Sequence, residues 1–227
     1  MNVLVTGCGG FIGFHVTKRL LNEGHTVYGV DNYWSAFGSI KEQTNENLIN
    51  SKVFKNIELL KEYPNFKFAP IDVIDLQLIQ EKTNYFKNID VVIHLAAAPR
   101  VQYSFDYLRD SSFNNLMPIT GVLDFMIKNN VKSIVFASSS TAKTCLSPYG
   151  LHKKFNEDLL LMYRECFDIE PVILRYHSVY GPGMDADSKY ALLVPRAIKA
   201  AYSGEEFPLY GDGSVERDFT YIDDVVE

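Results

Sequence analysis

Val3-Leu4-Val5-Thr6-Gly7-Cys8-Gly9-Gly10-Phe11-Ile12-Gly13 is an apolar run that breaks into glycines and resumes, from Phe11 to Leu21, with helical spacing. A strand, a glycine turn and a helix in that order are the context a dinucleotide fingerprint requires. Gly7 permits the tight turn, Gly10 lets backbone approach a pyrophosphate, and Gly13 allows close helix-to-strand packing. The helix opening at Phe11 and Ile12 then offers free N–H groups and a positive dipole end to phosphates. The next apolar run ends at Asp31, eighteen residues after Gly13, where a carboxylate accepts hydrogen bonds from an adenosine ribose diol. Asp31 also repels a 2′-phosphate, and Asn32-Tyr33-Trp34 supplies no arginine to bind one, so NAD is expected in preference to NADP. Asp72-Val73 closes a third run. There a carboxylate has two readings, an acceptor for the adenine amino group or a helix N-cap.

The 227 residues are 47% apolar, ample for a buried core of one domain with a partial second. A formal charge of −6 gives no field that would gather nucleic acid or an anionic membrane, so a small-molecule partner held by a few local cations is expected. Cys8, Cys145 and Cys166 are odd in number and lack CxxC spacing, which argues against a disulfide framework or a zinc site and for a reducing cytoplasm. Cys8 reads as filler in the glycine loop, because nothing near it in sequence would lower its pKa. No charged leader precedes the first strand and no stretch is long enough to span a bilayer, so a soluble, unprocessed chain is expected.

Short β-rich runs at 2–6, 26–30, 66–71, 90–95, 133–137 and 171–176 alternate with helical patterns at 11–23, 41–61, 75–86, 105–129, 148–167 and 188–203. This alternation predicts a doubly wound parallel sheet covered on both faces, the α/β architecture of a Rossmann fold. The first turn signal strong enough to divide the chain is Tyr180-Gly181-Pro182-Gly183. Residues 1–179 therefore read as the dinucleotide domain, and 180–227 as a small, incomplete C-terminal substrate lobe.

Tyr149 and Lys153 stand one helical turn apart, downstream of Ser138-Ser139-Ser140. A tyrosine free in water has a pKa near 10 and is a poor base at neutral pH, so it needs a cation to favour the phenolate. Residues i and i+4 share a helix face, which places Lys153 to supply that charge. A YxxxK pair alone is more often an exposed tyrosine beside a solvated lysine; the serine run and glycine loop upstream turn the reading toward proton transfer.

Taken together, the chain resembles the extended short-chain dehydrogenase/reductase family of nucleotide-sugar epimerases and dehydratases. The matching blocks are Val5-Thr6-Gly7 through Gly13, Val30-Asp31-Asn32, His94-Leu95-Ala96-Ala97, Ala137-Ser138-Ser139-Ser140, Tyr149 to Lys153, Leu174-Arg175-Tyr176, Val179-Tyr180-Gly181-Pro182, and Arg217-Asp218-Phe219 with Tyr221-Ile222-Asp223-Asp224. The stretch from His94 to Ser104 looks most like that of UDP-glucuronate 4-epimerases, except that Gln102 stands where those enzymes carry arginine. The resemblance implies that Leu95, Ala96 and Ala97 line the cofactor and that Lys153 also holds the nicotinamide ribose. It makes Ser139, third after the strand aromatic Phe136, the hydroxyl that bonds the sugar oxygen being oxidised, with Ser140 and Thr141 as rivals. It gives Ser178 and Arg217 to the substrate, the arginine gripping a nucleotide diphosphate; the competing reading of Arg217 is a surface pair with Glu216 or Asp218. Asn115 bonds backbone, and His94 packs behind the nicotinamide loop.

The implied activity is NAD-dependent epimerisation of a nucleotide-sugar, by transient oxidation to a keto-sugar and hydride return. Dehydratases of the family usually carry an acidic pair after the hydroxyl residue, whereas here Ser140-Thr141 follow, so epimerase is preferred. The alternatives are a dehydratase or reductase, or a catalytically weak NAD-binding module. A homodimer through the helices at 105–129 and 148–167 is also implied. Two departures stand out. Tyr149 follows Ser139 by only ten positions, across Ala142-Lys143-Thr144 in place of a longer loop, which should alter the substrate-side wall while letting the two hydroxyls meet. Relatives also continue, with further helices, past the position of Glu227.

Overall fold

The structure is a computed structural model that describes residues 1–34, 45–187, 190–207, 212–214 and 216–227. Six parallel strands form one sheet in the order β3-β2-β1-β4-β5-β6, with β1 Asn2–Thr6, β2 Thr26–Val30, β3 Phe66–Ala69, β4 Val91–His94, β5 Ser133–Ser139 and β6 Glu170–Tyr176. The chain winds outward from β1 to β3, then returns to β4 on the other flank of β1. That reversal is a topological switch point, and ligands of open α/β sheets bind outside the carboxyl ends of the strands there. Thr6 is in register with both Val30 and His94, so the loops after β1, β2 and β4 leave the sheet at one level.

Successive side chains of a strand point to opposite faces, and β1 shows both sides of the result. Leu4 joins a core with Tyr28, Val92, Phe125, Phe136 and Leu160, while Val3 and Val5 join another with Leu21, Val27, Leu60 and Phe66. Both faces are therefore packed, which explains why β1 reads as an unbroken apolar run. One layer holds α1 (Phe11–Asn22) and α3 (Lys52–Leu60). The other holds α4 (Leu76–Thr83), α6 (Leu108–Lys128) and α7 (Pro148–Phe167). A Cβ on Gly121 would come within 2.5 Å of the Val73 carbonyl oxygen, so α6 packs directly on the backbone that follows β3.

Several helix boundaries differ from the sequence expectation, each for a local reason. Of the helix expected over 41–61, residues 41–44 lie outside the described residues, and the remainder divides at Ser51 into α2 (Asn45–Asn50) and α3. Ser51 Oγ accepts the Phe54 N–H at 3.2 Å and so caps a new helix. The helix expected over 105–129 begins earlier, as α5 (Val101–Asp106), and breaks at Tyr107, whose φ of −135° and ψ of 61° are not helical. Apolar spacing continues through the break, so periodicity did not reveal it. Residues 188–189 of the helix expected over 188–203 lie outside the described set, and α8 (Leu193–Ser203) starts with Pro195 in its first turn, where no N–H is needed. The expected helix at 75–86 is a short 3-10 turn at Val73–Asp75 followed by α4, which stops at Asn84 in a left-handed conformation.

The segment beyond 180 is stitched onto the sheet domain. Tyr180 exchanges backbone bonds with Thr220 and Ile222, both at 2.9 Å, and α9 (Ile222–Val226) packs against α1. His15 Nε2 lies 3.0 Å from the Pro182 carbonyl oxygen, and Lys52 Nζ donates to that of Met184 at 2.6 Å. Among the described residues no helix is long and apolar enough to cross a membrane.

The tightest packing lies where α1 leaves the glycine loop, since a Cβ on Gly13 would fall 2.0 Å from the Gly7 carbonyl oxygen. Gly13→Ala should therefore lower the thermal unfolding midpoint, by roughly 1–3 kcal/mol of stability as for other overpacked sites. Gly10→Ala, whose Cβ would sit 3.3 Å from the same oxygen, should cost less. Calorimetric unfolding of the two variants checks the order.

Candidate active site

The crevice at the switch point is built from backbone. Gly7 adopts φ +71° and donates its N–H to the Val30 carbonyl at 2.7 Å, turning the chain directly off β1. A Cβ there would meet the Ala96 nitrogen at 2.8 Å, so the loops after β1 and β4 touch without an intervening side chain. Thr6 binds the second loop, its carbonyl accepting the Leu95 N–H at 3.2 Å and its Oγ1 that of Ala96 at 3.3 Å. Asn115 fixes the continuation past Ala97, accepting the Ala98 N–H at 3.0 Å and donating to the Ala98 carbonyl at 3.3 Å. Gly10 caps α1 without a side chain, and no acid stands in the first turn, so the N–H groups at Phe11 and Ile12 carry no competing anion.

Asp31 lies buried at the end of β2, with Oδ2 accepting the Gly9 N–H at 3.1 Å and Oδ1 that of Tyr33 at 2.9 Å. Burial pushes its carboxyl up to about 6, against the pull of those two N–H groups. A carboxylate offers about four lone-pair sites, so acceptor capacity remains for a diol. Asp72 is the N-cap of the 3-10 turn containing Val73, accepting the Ile74 N–H at 3.1 Å, and it also accepts from Asn32 Nδ2 at 2.9 Å. A cradle closed to side chains, an uncapped helix start and a buried carboxylate together fit an adenine dinucleotide.

The second half of the site is made where β5 meets α7. Ser147 Oγ accepts the Gly150 N–H at 3.1 Å and Pro148 takes the first helical position, so α7 starts immediately before Tyr149. The short connection coils into a 3-10 turn over Ser140–Ala142, then bends through Cys145 at φ +53°. Ser139 caps that turn, its Oγ 2.9 Å from Thr141 Oγ1, and it lies near enough to the buried Tyr149 phenol to lower its pKa. The shortened loop thus leaves Ser139 and Tyr149 as neighbours, both buried. Strand alternation sends Ser138 elsewhere, to donate to Glu157 at 2.5 Å.

Burial pushes the Tyr149 phenol up to about 12, opposed first by the charge of Arg100 and then by the Ser139 bond. Lys153 Nζ lies 5.9 Å from the Tyr149 ring centroid and 4.8 Å from that of Phe136, and donates to the Ala137 carbonyl at 2.7 Å. Burial pulls Lys153 down to about 7, opposed by Glu157. Glu157 is itself buried and held by Arg175 through two bonds of 2.9 and 2.6 Å. His94, 2.7 Å from Thr6 Oγ1, is driven down to about 3 by burial and by Lys153, so it is neutral and packs on Phe136.

The outlying residues are less gathered. Ser178 follows β6 half-buried with φ +34°, whereas Arg217 is exposed and donates to the Glu216 carbonyl at 3.0 Å. Lys143 is exposed, and His177 pairs with Asp218 at 3.2 Å. Two participants were not picked out from sequence. Glu157 continues the 149, 153 spacing by one more turn, a signal that was available. Arg100 stands two residues before the conspicuous Gln102, and only the fold shows that its charge reaches Tyr149.

A sequence profile of the NAD-dependent epimerase/dehydratase family matches residues 3–227. The UDP-glucuronate 4-epimerase of Thermodesulfobacterium geofontis is 34% identical over 236 residues, which cover 98% of this chain and 68% of that protein. The crystal structure of UDP-glucuronic acid 4-epimerase from Bacillus cereus, in complex with UDP-glucuronic acid and NAD, is 31% identical with a TM-score of 0.80. The match covers 100% of this chain and 71% of that one. The UDP-glucose 4-epimerase of Thermotoga maritima, crystallised with UDP-glucose, is 29% identical with a TM-score of 0.80 over the same shares, 100% and 71%. With the glycine cradle at the switch point and the Ser139–Tyr149 pair beside it, the chain belongs to the NAD-dependent epimerase/dehydratase family.

Proposed function

We propose that the protein epimerises a nucleotide-diphosphate sugar at its C4 carbon, using NAD held in the switch-point crevice. The observation that carries this reading is the buried Ser139–Tyr149 pair at the carboxyl end of β5, next to Lys153 and facing the glycine loop's side of the sheet. Relatives that act on UDP-glucuronic acid and UDP-glucose supply the substrate class. Residues 1–179 form the cofactor domain with the reacting side chains, and 180–227 contribute to the substrate side.

Gly7, Gly10, Phe11, Ile12 and Gly13 would hold the pyrophosphate against backbone, Asp31 the ribose diol, and Asn32, Asp72 and Val73 the edge of the adenine. Leu95, Ala96 and Ala97 would pack along the nicotinamide half. Bound NAD supplies a reversible hydride acceptor. The chain's own part is proton handling. Ser139 hydrogen-bonds the sugar hydroxyl, Tyr149 takes its proton and returns it, and Lys153 adds positive charge and donates to a ribose. Ser178 and Arg217 would meet the sugar and the diphosphate as the substrate settles. Thr141, second after Ser139, is engaged with the Ser139 hydroxyl and carries no acid for a dehydration. A homodimer is part of the proposal, because Phe113 and Met117 on α6 and Phe155 and Met162 on α7 are exposed apolar side chains on the two helices that the family pairs. Three unpaired cysteines, with Cys166 exposed, suit a reducing cytoplasm.

Incubation with a panel of UDP-, GDP- and dTDP-sugars, followed by product separation, tests the activity; bound NAD without any epimer from the panel would refute it. Tyr149→Phe should retain NAD binding yet lower turnover by roughly a hundredfold or more. Ser139→Ala should also impair turnover, and a larger loss in Thr141→Ala would move the hydroxyl role to Thr141.

Asp31 generates a pH prediction. Its raised pKa leaves the carboxyl largely protonated below about 6, and a ribose diol bonds the carboxylate better than the acid. NAD affinity should rise between about pH 5 and pH 7 and then level off. Calorimetric titration should show that slope in the wild type and a flat profile in Asp31→Asn, with NADP binding weaker than NAD throughout the wild-type series.

A further inference from the structure

Three aromatic side chains from three different connections meet at the carboxyl end of the sheet. Trp34 follows β2, Tyr103 stands in α5 after β4, and Tyr190 lies between β6 and α8. The Trp34 and Tyr103 ring centroids are 6.1 Å apart at an interplanar angle of 72°, and those of Tyr103 and Tyr190 are 5.7 Å apart at 86°. Both are edge-to-face contacts, an arrangement that the ring quadrupoles favour.

Each ring is held from its own side. Trp34 donates its backbone N–H to Asn32 Oδ1 at 2.8 Å, and Asn32 Nδ2 donates to Asp72 at 2.9 Å, so the tryptophan is tied to the segments that follow β2 and β3. Tyr103 is buried with its hydroxyl donated to Asp110, and the neighbouring Ser104 Oγ accepts the Tyr149 N–H at 3.2 Å, fixing this part of α5 to α7. Tyr190 donates its hydroxyl to Asp106 Oδ2 at 2.8 Å, and Gln102 Nε2 donates to the other oxygen of that carboxylate at 2.9 Å.

β1 lies between β2 and β4 in the sheet, so a contact between side chains that follow β2 and β4 crosses the carboxyl end of β1, where the glycine loop stands. We propose that Trp34, Tyr103 and Tyr190 form a clasp over the switch-point crevice. Tyr103 is its positioning residue, and NAD enters or leaves only when the contact between Trp34 and Tyr103 opens. This rests on NAD lying in that crevice.

Exchange kinetics test the clasp, read from the emission of NADH rather than from turnover. Mixing NADH-loaded protein with excess NAD in a stopped-flow instrument gives the release rate, and mixing nucleotide-free protein with NADH gives the entry rate. Trp34→Ala should speed both by about three- to tenfold, the factor that loss of one aromatic pair gives. Trp34→Phe keeps a ring there and should restore most of the wild-type behaviour. Tyr190→Ala should speed both by less, because the contact between Trp34 and Tyr103 remains. Trp34 is the one tryptophan of the chain, so its own emission reports the contact, and Tyr103→Leu should shift it to longer wavelength in nucleotide-free protein.

Unchanged entry and release in Trp34→Ala overturn the clasp. Faster release with unchanged entry overturns it too, since that is the mark of a side chain that only touches the dinucleotide. If Tyr103→Leu fails to fold, the Trp34 and Tyr190 variants decide. Faster exchange in variants of a protein that epimerises no sugar would uphold the clasp and sink the proposed activity, whereas unaltered exchange in an active epimerase would sink the clasp alone.

Discussion

The structure depends on backbone-to-backbone contact between the loops that follow β1 and β4. A Cβ on Gly7 would sit 2.8 Å from the Ala96 nitrogen, closer than such atoms come, so the contact exists only with glycine there. Around it the switch-point crevice opens, since β1 and β4 are neighbours in the sheet although four described α-helices and two strands separate them in the chain up to Val91. Thr6 fixes the level of both loops, one through its carbonyl and one through its hydroxyl, and its hydroxyl also engages His94. The same few residues thereby set the cradle and the floor beneath Ala96, and hold the histidine behind it in place.

Electrostatics divides the site into two regions of opposite sign. After β2 and β3, Asp31 and Asp72 face donors of the loop backbone and of Asn32, with no described arginine or lysine bonded to either. At the end of β5, Lys153 and Arg175 both lie near the buried Glu157. Arg175 reaches from the surface to the buried Glu157 carboxylate and satisfies its charge. Glu157 thus supports the charge of Lys153 from below while its own charge is held by Arg175, and the ammonium remains able to respond to what lies above it.

The sheet was legible because its strands are short β-rich runs and its helices recur between them; all six strands start within one residue of the expectation, although β3 ends early. Asp31 was legible for the same reason, as the last residue of an apolar run at a fixed distance from the glycines. Helix breaks at Ser51 and Tyr107 were not, since apolar spacing runs through both and only capping marks the first. Tyr107 lies beside Tyr103, with ring centroids 5.1 Å apart, and that i,i+4 spacing is what an unbroken helix would also show, so the local pattern conceals the break. Arg100 was hidden differently: one arginine in a loop is ordinarily solvated, and its reach to Tyr149 depends on Ser104 drawing α5 onto α7.

The short connection between Ser139 and Tyr149 changes which parts of the chain can select a substrate. Its turns are consumed internally: Cys145 N–H bonds the Thr141 carbonyl at 3.0 Å, and a Cβ on Gly150 would lie 2.6 Å from that same oxygen. Such a loop packs down on α7 and has little length left to form a wall over a sugar. Lys143 and Leu146 point into solvent from it. Arg100 before α5 and Ser178 and Asp185 after β6 stand on other parts of the chain. The short connection is therefore spent on its own turns and on α7, a different arrangement from a site walled by a long loop.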